Sequence, residues 1–323
     1  MKFHRRGPAA FLDEVRRKRG NASLIESFRN TLEADRKKAV EYLNDDNLCF
    51  PSFYVLSDEI TKAELSGELC ERYRLAAEFL MMRNDKSDIQ SEVQAVHPAL
   101  KWMIETGAEE NIGNDYLKKL DTAAGLLTKI YRDRSILPGI ADMIFFRCRS
   151  ELPYHDLIWA FLEAREPYSL ALIADRLRSP DSSESACARR LLAFIPGIDR
   201  KETGKGEWQF QRFCDWLEEN GPYLRYKGET FDTTHRPTPY TPVWRAKYLG
   251  AFVASDNGKI HVSLTKRERR LLRRFDDLAG DEQRLLAAYS ARKRRMDRNA
   301  WVQWINLSIK KQLKAAEGEN SHD

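Results

Sequence analysis

The chain contains no apolar run near the ~18–20 residues needed to cross a bilayer, so no membrane partner is expected. Its amino terminus, MKFHRRGPAAFLDEVRRKRG, is positively charged but lacks the apolar stretch of a secretion signal, and Asp13 and Glu14 argue against a transit peptide. Cysteine is scarce. Cys49, Cys70, Cys148, Cys187 and Cys214 are odd in number and far apart, with no Cys-x-x-Cys pair. That spacing excludes a disulfide frame or a zinc cluster and predicts reduced, mostly buried thiols in a cytoplasmic protein. Gly204-Lys205 lacks both the upstream Gly and the following Ser/Thr of a phosphate-binding loop, so nucleotide hydrolysis is unsupported. No cofactor or metal motif is present, and none is expected to bind. Signals for β-structure are almost missing, with one exception below.

What the chain does have is an uneven charge. Between Lys259 and Lys314 there are sixteen Lys/Arg and six Asp/Glu, a net of +10, whereas the whole chain carries +5. A basic surface is therefore built onto a mildly acidic body, and basic surfaces meet phosphates or acidic partners.

The first half reads as successive helices. Leu24, Ile25, Phe28, Leu32, Ala39 and Tyr42 are helically spaced over 22–44. Ser57-Asp58-Glu59 offers a cap and acidic first turn for a helix carrying Leu65, Leu69, Tyr73, Ala76 and Leu80. Leu117, Leu120, Ala124, Leu127 and Tyr131 mark another helix over 115–132, and Pro138-Gly139 begins an unusually apolar one over 140–148. A Trp- and aromatic-rich helix is expected over 208–220. Three prolines and several threonines make 230–242 an irregular loop.

The segment YSLALIADRLRSPDSSESACARRLLAFIPG, residues 168–197, has an apolar helix, a Ser179-Pro180-Asp181 turn and a second helix with Ala186, Ala188, Arg189 and Leu192. It resembles a single HEAT-type unit, which implies stacked helices in the body.

The one clear β signal is Asp256-Asn257-Gly258-Lys259 between Phe252–Ser255 and Ile260–Ser263. Asn-Gly favours a tight hairpin turn with both residues at positive φ, which would set Val253 opposite Val262 and Ser255 opposite Ile260. His261 would then sit on the solvent face. This hairpin runs directly into Lys266-Arg267-Glu268-Arg269-Arg270-Leu271-Leu272, and the arrangement over 241–278 resembles the wing and following helix of MarR-type winged-helix proteins. The resemblance implies a DNA-contacting wing with Lys259 at its tip. It also implies a reading helix at 241–249 (TPVWRAKYL), with Thr241 as cap and Pro242 at its first position.

Three basic helices are expected in the last sixth of the chain. One follows Thr265 and buries Leu271, Leu272, Phe275 and Leu278 beneath Lys266, Arg267, Arg269, Arg270, Arg273 and Arg274. A second spans 281–298 and ends in Arg292-Lys293-Arg294-Arg295. A third carries Trp301, Trp304, Ile305, Ile309 and Leu313, with Lys310, Lys311 and Lys314 outward. Cations at a helix carboxyl end favour the macrodipole, but the Lys266–Arg274 cluster lies at an amino terminus, where positive charge is disfavoured. An anionic partner, or an acidic surface of the same chain, is needed to offset it. These residues, with Lys259, are the candidate nucleic-acid contacts.

Other candidate chemistry is thin. Glu229, Asp232 and His235 lie close in sequence but lack the further ligand a metal needs. Arg149 and His155 resemble the Arg-x4–6-His motif of HEPN ribonucleases, though Pro153 interrupts the stretch. Ser263/Lys266 and Ser308/Lys311 fit a Ser-x-x-Lys pattern without its companion motifs.

The expectation is a mainly α protein. A multi-helical body over 1–198, with HEAT-like stacking, is joined by a linker at 199–206 to a basic module over 207–314. That module contains the hairpin 252–263, and a disordered tail occupies 315–323. The function expected is non-catalytic: binding DNA or RNA, or scaffolding a larger complex. The alternatives are a helical-repeat adaptor for an acidic protein and a HEPN-like ribonuclease.

Overall fold

The protein is described here by a computed structural model covering residues 9–81, 93–199, 206–229, 234 and 237–320. It is mainly α-helical, with one small two-stranded sheet among the described residues, and it divides into two compact units, Met1–Ala164 and Arg165–Asp323. The helices of 168–197 and the segment expected as a linker, 199–206, both belong to the second unit; residues 200–205 lie outside the described residues.

The first unit contains α1 (Ala9–Arg19), α2 (Asn21–Ala34), α3 (Arg36–Leu43), α4 (Phe50–Lys62), α5 (Glu71–Met81), α6 (Val93–Gly107), α7 (Asn114–Lys129), α8 (Leu137–Arg149) and α9 (His155–Glu163). Two predicted helices are broken. The one over 22–44 splits at Asp35, whose extended backbone and carboxylate cap α3 by accepting from Lys38 N at 3.0 Å. The one opening at Ser57 is instead the end of α4, and the chain turns at Glu64 (φ 53°), a left-handed residue that halts an L-residue helix. Both breaks interrupt stripes whose apolar spacing continues past them.

This unit buries an aromatic cluster in which Trp102 meets Phe50 and Phe53 edge-on, each with centroids 5.6 Å apart, and Tyr73 at 4.9 Å. Arg147 is buried at 1 % exposure. It pairs with Asp121 at 2.7 Å and donates to the carbonyls of Leu117 and Pro153, at 3.1 and 3.0 Å. One side chain thereby ties α8 to α7 and to the turn before α9.

The second unit begins with α10 (Leu170–Ala174), which continues as a 3-10 turn, and α11 (Ser182–Leu191), joined through Ser179–Asp181. Asp181 caps α11 by accepting from Ser183 N and Glu184 N. After α12 (Gly206–Asn220) come strands β1 (Leu224–Tyr226) and β2 (Tyr240–Pro242), paired antiparallel with Tyr226 opposite Tyr240. The predicted irregular loop thus ends in a strand. α13 (Trp244–Leu249), α14 (Lys266–Asp276), α15 (Gly280–Met296), α16 (Arg298–Ile305) and α17 (Ile309–Asn320) complete the unit.

Its core joins Tyr248, Leu272, Phe275, Leu286, Ala287, Tyr289, Trp304, Ile305 and Ala316. The predicted third basic helix is two helices. Gln312, fully buried, bridges the break by donating to the carbonyls of Ile305 and Leu307, at 3.1 and 3.0 Å, and by accepting from the Tyr248 hydroxyl at 2.7 Å. The predicted disordered tail is helical as far as Asn320, because Ala316 packs into this core.

Candidate nucleic-acid interface

α14 starts where its sequence says it should. The Thr265 hydroxyl accepts from Glu268 N at 3.2 Å, and the Glu268 carboxylate accepts from Thr265 N at 2.8 Å, a reciprocal capping box. Leu272 and Phe275 are buried, Leu271 and Leu278 half-buried, and Phe275 stacks on Tyr248 with centroids 4.6 Å apart. At 3.6 residues per turn, Lys266, Arg267, Arg269, Arg270, Arg273 and Arg274 fall on the opposite side, within an arc of about 160°. All six are exposed.

None of these six forms an ion pair with another described residue. The nearby carboxylates are already engaged or absent from their face: Glu268 serves the cap, and Asp276 pairs with Arg245 at 3.5 Å. α14 is therefore a firmly docked helix whose outer face carries uncompensated positive charge.

The cations of α15 are used differently. Arg294 Nη2 donates to the Tyr223 hydroxyl at 2.7 Å, and its guanidinium lies 5.4 Å from the Trp301 ring centroid. Lys293 Nζ donates to the Tyr289 hydroxyl at 3.2 Å, Arg292 lies 5.6 Å from the centroid of the same ring, and Arg295 reaches Glu218 at 3.7 Å. A sequence run that reads as one patch is thus partly internal scaffolding. Arg292 and Lys293 meet Tyr289 on their own helix, whereas the signal for Arg294 was not local, since Tyr223 approaches from 71 positions away.

The hairpin also differs from its sequence reading. The bridged pair is Val253 with Ile260, a register shifted from the expected Val253–Val262, and Val262 is 61 % exposed. Gly258 has φ +73° whereas Asn257 does not enter the left-handed region, so the loop is wider than a two-residue turn and closes with Gly258 N donating to Ala254 O at 2.7 Å. The turn is seated against β1: Tyr226 N donates to Ser255 O at 2.6 Å and Val253 N to Pro222 O at 3.1 Å. Lys259 and His261 are exposed.

The helix at the position of the expected reading helix is α13, only six residues long. Its cap is Val243, because Thr241 and Pro242 belong to β2. Ala246, Lys247 and Tyr248 are buried in it. Lys247 Nζ donates to Glu219 at 2.6 Å and to Asn220 Oδ1 at 2.8 Å, and burial holds its pKa below the ordinary lysine value. Arg245 is the exposed cation of this helix.

Of the remaining candidates, Arg149 ends α8 and His155 begins α9, both exposed. Glu229 accepts from Thr238 N at 2.9 Å and pairs with Lys227, while Asp232 and His235 lie outside the described residues. Among the described residues no three His, Cys, Asp or Glu side chains converge as metal ligands, and no helix is long and apolar enough to cross a membrane. Cys49 and Cys187 are buried, Cys70 is exposed, and none of the five cysteines is in a disulfide among the described residues. Compared with known protein families, with curated proteins and with solved structures, the chain matches none.

Proposed function

We propose that the protein binds nucleic acid, or anchors a complex to it, through the outer face of α14. The observation that carries this reading is the set of six exposed cations, Lys266, Arg267, Arg269, Arg270, Arg273 and Arg274, left without carboxylate partners among the described residues. Five of the six are arginines, whose planar donors suit phosphate oxygens bidentately. A wing inserted in a groove is not required, since α14 itself presents the charge; Lys259 adds a further exposed cation on the hairpin. The expected compartment is the cytoplasm, a reading supported by the odd number and wide spacing of the five cysteines.

The test is a binding titration of the full chain with single- and double-stranded DNA and RNA at several NaCl concentrations. The logarithm of affinity should fall with the logarithm of salt by about 0.9 for each phosphate neutralised on duplex DNA, and about 0.7 on single strands. Replacing Arg269, Arg270, Arg273 and Arg274 together by Gln should weaken binding and flatten that slope with the circular dichroism unchanged. Unchanged affinity in the folded variant would sink the reading and favour an acidic protein as partner.

A further inference from the structure

The outer face of the 252–261 turn narrows the class of nucleic acid. Val253 and Ile260 are the bridged pair, and they pack inward with Tyr223 and Ala246. Side chains alternate across extended chain, so the flanking pairs, Phe252 with His261 and Ala254 with Lys259, share the other face. Their backbone bonds fit this pairing: His261 N donates to Phe252 O at 3.0 Å and Ala254 N to Lys259 O at 2.9 Å. Phe252 is 61 % exposed, and His261 and Lys259 are exposed beside it.

Phe252 is also held in place. Its ring leans on the buried Tyr223 ring, with centroids 6.4 Å apart and planes tilted by 58°, and Tyr223 is in turn fixed by Arg294. One side of the phenyl ring is backed by protein and the rest faces solvent. Phe252 and His261 therefore occupy paired positions on the exposed face of a seated turn, with Lys259 on the same face and the unpaired cations of α14 beginning five residues after His261.

We propose that Phe252 and His261 form a stacking platform for an unpaired base, so that the nucleic acid bound is single-stranded. This rests on the reading of α14 as the phosphate-binding face. Duplex stacking hides the faces of the bases, whereas a single strand can lay one on an aromatic ring while its backbone follows the cations. Such a platform tolerates any base, because every base has a π-face.

The experiment measures fluorescence anisotropy of a labelled oligouridylate, an oligothymidylate and a DNA duplex with the full chain. Phe252→Ala should lower single-strand affinity roughly 5- to 100-fold at fixed salt. It should leave the salt slope and the duplex affinity unchanged, and Phe252→Trp should restore binding. In the unaltered protein, irradiation of a 5-iodouracil-substituted strand should crosslink at Phe252 or His261, located by mass spectrometry; this arm is independent of how the variants fold. Equal loss on single strand and duplex, no loss on either, or crosslinks confined to α14 would overturn the platform while leaving the α14 reading intact. An unaltered protein that binds no nucleic acid overturns both.

Discussion

Arg294 and Tyr223 are joined by a 2.7 Å hydrogen bond from the guanidinium to the phenol, which links the end of α15 to the turn preceding β1. The guanidinium fits because residue 250 is glycine. A Cβ there would lie 2.1 Å from Arg294 Nη1, and Gly250 sits at φ +70°, a region L-residues enter at a cost. Arg294 Nη1 is itself buried without an acceptor, so the net contribution of the contact is modest. Arg294→Ala should cost about 1–2 kcal/mol in urea denaturation. Nucleic-acid affinity of the folded fraction should change less than it does on removing a single α14 arginine.

Gly258 offers a test of the hairpin as a structural element. It combines φ +73° with close neighbours: a Cβ would lie 2.9 Å from Arg225 Cδ and 3.1 Å from Val243 Cγ2. Gly258→Val should therefore destabilise the second unit by about 1–3 kcal/mol. Thermal denaturation should reveal that loss. A variant with unchanged Tm and reduced binding would instead indicate a turn that matters only at its tip.

Glu59 gives the first unit a pH dependence. Its side chain is 11 % exposed and accepts two 2.7 Å hydrogen bonds from Arg29 and one of 3.0 Å from Lys62. The Arg29 bonds lead in holding its pKa near 2, below the usual 4.5. A carboxylate depressed in the folded state contributes stability above its unfolded pKa and loses that contribution as pH falls through the folded value. Glu59→Gln should thus cost about 1 kcal/mol at pH 7, reduced by the solvent exposure of Arg29, and the difference from the unaltered protein should shrink between pH 4.5 and 2. Urea midpoints across that range would check it.

Much of the helical architecture was legible because its signals are local. Pro138 at the start of α8, the Ser179–Asp181 turn before α11 and a helix following Thr265 are expected from neighbouring residues, and the structure has each of them. The sheet was not legible. Strands of three residues carry no measurable alternation, and Tyr226 and Tyr240 find each other across a proline-rich segment. The apolar stripes also continue past Asp35 and Glu64, where backbone geometry ends the helices. For the candidate site, the α14 face followed from amphipathic spacing, whereas the fates of Lys247 and Arg294 depended on distant partners, Glu219 and Tyr223.

The uncompensated face of α14 has a consequence for the protein in the absence of any ligand. Lys266/Arg269, Arg267/Arg270, Arg270/Arg273, Lys266/Arg270, Arg269/Arg273 and Arg270/Arg274 are like-charge neighbours three or four positions apart; Lys266, Arg267 and Arg269 lie at the positive end of the helix dipole, whereas Arg273 and Arg274 occupy the last turn, where the dipole favours them. Each such pair opposes helix formation by about 0.2–0.5 kcal/mol, so the face costs about 1–2 kcal/mol after Asp276 and Asp277 offset part of it. Recognition and folding should therefore respond to salt in opposite directions. Raising NaCl should loosen the grip on a polyanion while relaxing the repulsion within the free helix and raising Tm. The four-fold Arg→Gln variant should melt higher than the unaltered chain at low salt and gain less on salt addition. On this account the surface is kept under electrostatic tension that a bound polyanion relieves, and occupancy by its ligand is itself a stabilising event for the unit that carries it.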